Sequence, residues 1–266
     1  MSSRSASNPQ GSAQRRRHGS ILASVAGQAN VGKSGVAQTT GAHKQQGNQL
    51  RLTESSSPRS NAKPELHSHE QDQQLRQQAI AAAQQGYYEV TIDLLSKLLE
   101  RHPASATDYN NRGLAYFQSG EYEKAIADYN QAIALNPKLA SVYNNRANYY
   151  AAQGQLAEAI ADYGVAIDLN PGNTRAWINQ GITFRQLEMY EQAIGNFELA
   201  LHFGQLEGHI YAERGRTFHV MGDWNCAIAD YQKALQILLL THTESAQRLR
   251  QQVETWLHEL LSPLRP

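Results

Sequence analysis

From Asp72 to Thr241 the chain repeats itself every 34 residues without insertion or deletion. Tyr109-Asn-Asn-Arg-Gly aligns with Tyr143-Asn-Asn-Arg-Ala, and Leu135-Asn-Pro falls on Leu169-Asn-Pro at the same offset. Extending the period both ways gives five units, 72–105, 106–139, 140–173, 174–207 and 208–241. A fixed period of this length leaves few folds open. Each unit is too small to bury its apolar face alone, so units must stack on their neighbours as a solenoid.

The places within a unit define what the unit is. Place 8 is small throughout: Ala79, Gly113, Ala147, Gly181 and Gly215. Place 11 carries Ala82 and then the rings Tyr116, Tyr150, Phe184 and Phe218. Place 20 reads Thr91, Ala125, Ala159, Ala193, Ala227, and place 24 reads Leu95, Tyr129, Tyr163, Phe197, Tyr231. Places 4, 8 and 11 share one helical face, as do places 20 and 24, so each unit is predicted to hold two helices. A small residue at place 8 lets the partner helix approach, with the place 11 ring filling the volume beside it. Gly86, Gly120, Gly154 and Gly222 at place 15 end the first helix, the fourth unit having no glycine there. Pro103, Pro137 and Pro171 follow the second helix, which proline cannot continue.

This pattern resembles the tetratricopeptide repeat, in the style common among bacteria, over residues 72–241. The resemblance implies an all-α, right-handed TPR superhelix whose first helices line a concave groove. The first and fifth units depart most from the pattern, as end units of repeat arrays do. Beyond the fifth, residues 242–262 are predicted to form a capping helix. Thr241 and Glu244 have capping-box spacing, and Ala246, Leu249, Val253, Trp256, Leu257, Leu260 and Leu261 make one apolar face.

Residues 1–71 have a different texture. They are rich in Ser, Gln, Gly and Asn, contain no acidic residue before Glu54, and show no helical or strand period. Such a segment buries too little apolar surface to offset its ordering entropy, and is read as a disordered tail. The formal net charge of zero hides an asymmetry: nine basic and three acidic side chains before residue 72, but twelve and eighteen in the repeats. The run Ile21–Ala26 is far shorter than the ~20 residues of a membrane span. One cysteine, Cys226, excludes a disulfide framework and makes a reducing, cytoplasmic setting the default, with peripheral membrane contact open only through the tail.

Several residues invite chemistry. Gly27-Gln-Ala-Asn-Val-Gly32-Lys33-Ser34 matches the phosphate-cradling loop, but the residues after it carry no amphipathic helix pattern and no nucleotide-binding sheet follows. A nucleotide-dependent switch through this loop is the alternative class of function. Arg15, Arg16 and Arg17 could tether the tail to a membrane or RNA, yet no interleaved aromatics support base stacking, and nucleic acid is not expected as a partner. His67 and His69 lack further ligands, so no metal site is expected. Cys226 is expected to be a small buried helix residue. No nucleophile or base constellation recurs in the array, which predicts a protein that is not an enzyme and holds no cofactor.

The expected site is the groove. In the family that the repeats resemble, places 2, 5, 6, 9, 12 and 13 face it. Place 6 reads Gln77, Asn111, Asn145, Asn179, Glu213, and the three asparagines resemble the asparagine ladder of the repeat domain in the sugar transferase that modifies nuclear and cytoplasmic proteins. Asn111, Asn145 and Asn179 are too polar for a core and are expected to face the groove. Together with Asn110, Asn144, Asn148, Arg175 and Arg185 they form the candidate partner-binding set. Paired amide donors and acceptors suit the backbone of an extended segment, so the implied partner is another protein and the implied function a non-catalytic scaffold, adaptor or assembly factor. The carboxylate clamp of chaperone adaptors is incomplete, because cations are missing where His209 and Glu213 stand. Arg112, Arg146 and Arg214 at place 7 occur only in units with Asp128, Asp162 and Asp230 at place 23, which predicts a structural ion pair inside each unit.

Overall fold

The computed structural model describes residues 62–262. The phosphate-loop match, the Arg15–Arg17 cluster and the rest of the segment before Ala62 lie outside the described residues, as does the His67 side chain. Among the described residues there are eleven α-helices and no strand. They run as α1 (Ala62–Gln84), α2 (Tyr88–Arg101), α3 (Ala106–Ser119), α4 (Tyr122–Leu135), α5 (Ala140–Ala152), α6 (Leu156–Leu169), α7 (Thr174–Gln186), α8 (Tyr190–His202), α9 (Glu207–Met221), α10 (Trp224–Leu239) and α11 (Glu244–Leu261). Each odd-numbered helix up to α9 packs on the one that follows, and each pair packs on the next pair, which makes an all-α solenoid.

The helix ends follow local chemistry. Ser105, Asn173 and Asp223 accept the backbone N–H three residues on and so cap α3, α7 and α10. Gly120 and Gly222 close α3 and α9 with φ of 86° and 91°, a left-handed backbone that costs glycine nothing. The fourth unit makes the same turn with Glu188 at φ 60°. A non-glycine residue there stores strain that its neighbours must over-determine.

Two boundaries differ from the sequence reading. The first helix begins at Ala62, ahead of residue 72, because Ala, Glu and Gln are good helix formers and Pro64 sits in the first turn, where no N–H bond is lost. The repeat period begins at residue 72, so it is silent about this extension. The cap of α11 is Thr243, whose hydroxyl accepts from Ala246 N at 3.2 Å; Thr241 instead donates back to Ile237 O.

The core is built from alanine and one ring per unit. Ala125, Ala159, Ala193 and Ala227, with Ala132, Ala166, Ala200 and Ala234, are fully buried around Tyr129, Tyr163, Phe197 and Tyr231. These rings, not those of place 11, cover the place 8 glycines. A Cβ on Gly113, Gly181 or Gly215 would lie 2.8–2.9 Å from its ring. The partner helix does approach at place 8, since a Cβ on Gly113 or Gly181 would also lie 3.2 Å from Ala125 O or Ala193 O, and the place 11 rings are left only partly buried for another task. Val253, Leu249, Trp256 and Leu257 of α11 cover the exposed side of the fifth unit.

Candidate functional site

The first helices carry every residue of the candidate set, and their side chains divide into three groups. Place 7 comes first because it fixes the others. Arg112 donates to Asp128 at 2.8 and 2.9 Å, Arg146 to Asp162 at 2.7 and 2.9 Å, and Arg214 to Asp230 at 2.7 and 2.8 Å, each as a two-pronged fork. Each guanidinium is flanked by the rings of places 4 and 11: Tyr109 and Tyr116, Tyr143 and Tyr150, Tyr211 and Phe218. The bond to aspartate raises the pKa of all three arginines. Arg112 and Arg146 also reach back one unit, to Ser96 Oγ at 3.1 Å and Asn130 Oδ1 at 2.8 Å. The place 11 rings therefore clamp a cation.

Place 6 differs from the sequence reading. Asn145 and Asn179 are buried, at 9% and 1% exposure, and their donors are spent inside the protein. Asn144 Nδ2 donates to Asn145 Oδ1 at 3.4 Å, Asn145 Nδ2 to Asn110 Oδ1 at 3.0 Å, and Asn110 Nδ2 to Asn111 Oδ1 at 3.4 Å. Four amides thus run head to tail across the second and third units. A second cluster follows, in which Asn148 Oδ1 accepts from Tyr163 Oη at 2.6 Å and from Asn179 Nδ2 at 3.0 Å. A buried asparagine is tolerable when its polar atoms are paired, and the repeat pitch supplies the partner at place 5 or 9 of the preceding unit. The ladder is a row of staples between units. Asn111 and Asn144 remain half-exposed at its edge.

Three amide atoms in this row are shielded and have no hydrogen-bond partner among the described residues: Asn144 Oδ1, Asn148 Nδ2 and Asn179 Oδ1. They read acceptor, donor, acceptor from the third unit to the fourth.

Arg185 also differs from its expected role. Its guanidinium donates to Glu213 Oε2 at 2.7 Å, Glu213 O at 2.8 Å and Thr217 Oγ1 at 3.3 Å, joining the fourth and fifth units. Glu213, which stands where the carboxylate clamp would need a cation, is 1% exposed and neutralised by this contact. Arg175 lies half-buried at place 2 of the same unit, and burial lowers its pKa. Nearby, the His209 ring is held below its ordinary pKa by burial, which outweighs Glu213, with Arg185 and Arg175 adding to the depression. His209 and Glu213 entered the sequence reading only as misfits to the carboxylate clamp, and Thr217 escaped it; their contact with Arg185 and Arg175 was not foreseen. A signal existed in the pairing of a basic place 12 with an acidic place 6 one unit later.

Cys226 is exposed, and the hydrogen bond and charge of Asp223 beside it raise its pKa. The repeat itself carried the correction, since the same place holds Lys124, Glu158 and Gln192 in other units. Among the described residues no helix is long and apolar enough to cross a membrane.

Comparison with known proteins agrees with this architecture. A TPR repeat family model matches residues 113–154, and a tetratricopeptide repeat model matches residues 140–173. The fold is similar to that of TTC0263, a thermophilic TPR protein of Thermus thermophilus, with a TM-score of 0.60 at 18% identity, covering 70% of this chain and 98% of that one. It is also similar to PilF of Pseudomonas aeruginosa, with a TM-score of 0.58 at 20% identity over 74% of this chain and 95% of that one. MamA gives a TM-score of 0.53 at 20% identity over 59% of this chain and 92% of its own. At these identities the likeness is one of fold. No curated protein matches the sequence.

Proposed function

We propose that this chain, whose repeats match tetratricopeptide-repeat models over residues 113–173 and whose fold is that of TPR proteins, acts as a non-catalytic protein-binding scaffold, in the cytoplasm, which holds an extended partner segment against its concave face. The observation that carries the reading is the unpaired row Asn144 Oδ1, Asn148 Nδ2 and Asn179 Oδ1. A shielded polar atom left without a partner costs about 1–3 kcal/mol, and a main chain laid along the third and fourth units would relieve such costs once these amides turn outward to meet it. Asn111 and Arg175, half-exposed on the same helices, would border that segment. The other asparagines serve this site indirectly, by fixing the spacing of the helices that present it.

The test is a display selection of peptides on the full chain, followed by titration calorimetry of the selected segments. Asn144→Ala should weaken binding roughly 2- to 13-fold, the equivalent of one hydrogen bond of about 0.5–1.5 kcal/mol. Glu191→Ala, an exposed change on the second-helix side, should leave affinity unchanged. Equal affinity for parent and Asn144→Ala would move the binding surface away from the groove.

A further inference from the structure

A second surface, at the turns joining first and second helices, combines exposed apolar side chains with carboxylates. Gly86, Tyr87, Tyr88, Glu89, Val90 and Ser119 line a shallow recess of about 350 Å³ between the first and second units. Tyr87 and Val90 are 60% and 51% exposed there. Ser119 connects the recess to the next turn, since its hydroxyl bonds Tyr116 O and Glu121 Oε1. At that turn Tyr122, Phe117 and Tyr149 form a cluster with ring centroids 5.8, 6.4 and 6.5 Å apart. Glu123 stands close enough to add to the rise that burial imposes on the Tyr149 phenol pKa. Lys124, over the Tyr116 ring, pairs with Glu121, so Glu89 and Glu123 leave the edge acidic.

The chain carries a segment of complementary chemistry. Arg15-Arg16-Arg17-His18 is followed closely by Ile21-Leu22-Ala23-Ser24-Val25-Ala26, three permanent cations beside the longest apolar run of residues 1–71. The reach suffices. The 23 residues of α1 separate Ala62 from the recess by about 35 Å at ~1.5 Å per residue. Residues 27–61 have a contour of over roughly 100 Å at ~3.3 Å per residue. Tethering makes the encounter intramolecular, so weak contacts suffice for occupancy.

We propose that Arg15–Ala26 docks in cis on the turn edge of the first three repeats, its arginines against Glu89 and Glu123 and its aliphatic side chains against Tyr87, Val90, Tyr122 and Tyr149. The head then shields an apolar edge that the repeat fold leaves open. This surface lies apart from the asparagine row, and its test does not depend on groove binding.

The experiment uses the full chain with Cys226→Ser and Ser24→Cys, a nitroxide on the new thiol, and paramagnetic relaxation of backbone amides. Amides of residues 86–90 and 117–123 should relax severalfold faster than those of α8 and α10. The enhancement should be lost when Arg15, Arg16 and Arg17 are changed to Glu, lost again with Glu89→Lys and Glu123→Lys, and regained when both sets are combined. Salt of about 0.5 M, which shortens the Debye length to ~4 Å, should weaken it. Enhancement absent from these residues, or present and indifferent to both charge reversals, would overturn the proposal.

Discussion

In the third repeat Arg146 grips Asp162 between two tyrosine rings, Ala147 meets Tyr163, and the Tyr163 hydroxyl is satisfied by Asn148. In the fourth, the same places hold Gln180 and Asn196, Gly181 meets Phe197, and Ile182 stands where Asn148 stood. Gln180 Nε2 turns instead to Ile160 O, 3.0 Å away in the preceding unit. One backbone thus carries a charged interior and a neutral one. Each substitution is matched by its partner's, because a buried charge without its counterion costs far more than the pair is worth. The second repeat shows the mismatch: Tyr129 keeps its hydroxyl although place 9 is Leu114, and that oxygen has no partner among the described residues.

The largest effect should come from breaking the charged version on one side only. Arg146→Ala leaves Asp162 at 6% exposure without its counterion and should cost roughly 2–4 kcal/mol, somewhat less than a fully enclosed pair. Gln180→Ala should cost about 0.5–1.5 kcal/mol. Transplanting the neutral solution, with Arg146→Gln and Asp162→Asn together, should recover most of the loss. Urea unfolding of the three proteins decides the matter. A double variant no more stable than Arg146→Ala would show that the two interiors are not interchangeable.

Next in size is the small place. Gly181→Leu drives a side chain into the Phe197 ring and toward Ala193 O, 3.2 Å from the new Cβ, and should cost roughly 1–3 kcal/mol. Gly181→Ala should cost less, since Ala147 fills the same place beside Tyr163 with no difficulty. Thermal melts that rank the two variants in the reverse order would refute the ring contact. A smaller, two-sided effect belongs to the tyrosines. Tyr163→Phe should lose about 0.5–1.5 kcal/mol with its bond to Asn148, whereas Tyr129→Phe should be neutral or stabilising. Equal losses in both would mean that the Tyr129 hydroxyl is satisfied in solution.

What the sequence disclosed and what it hid follow from the range of the contacts. Arg146 and Asp162 lie 16 residues apart within one unit, so their joint presence or absence across five units exposed the pair. The partner of Asn145 is Asn110, 35 residues away in the previous unit, and the partner of Asn179 is Asn148, 31 away. A unit read by itself shows those asparagines as polar and therefore exposed. Only the superhelical pitch brings each beneath its neighbour. The helix pairs were legible because five copies average out local noise, while the start of α1, which precedes the first full copy, was not.

The last comparison is at place 2, which the third repeat fills with Ser141 and the fifth with His209. Burial is the main cause of the depressed His209 pKa; Glu213 opposes it, and Arg185 and Arg175 reinforce it. The folded protein therefore holds the neutral ring, while the unfolded chain takes up a proton near the ordinary ~6.5. Because the folded pKa is the lower of the two, the contribution to stability is complete above that value and is lost as the pH falls below it. Unfolding free energies at about pH 7.5 and about pH 5.5 should differ by more in the parent than in His209→Gln. This should be the smallest of the four effects, since Glu213 cancels part of the depression. A parent and variant with the same pH dependence would mean that the ring opens to solvent, and the junction of the fourth and fifth repeats would then be looser than the asparagine-stapled junction of the third and fourth.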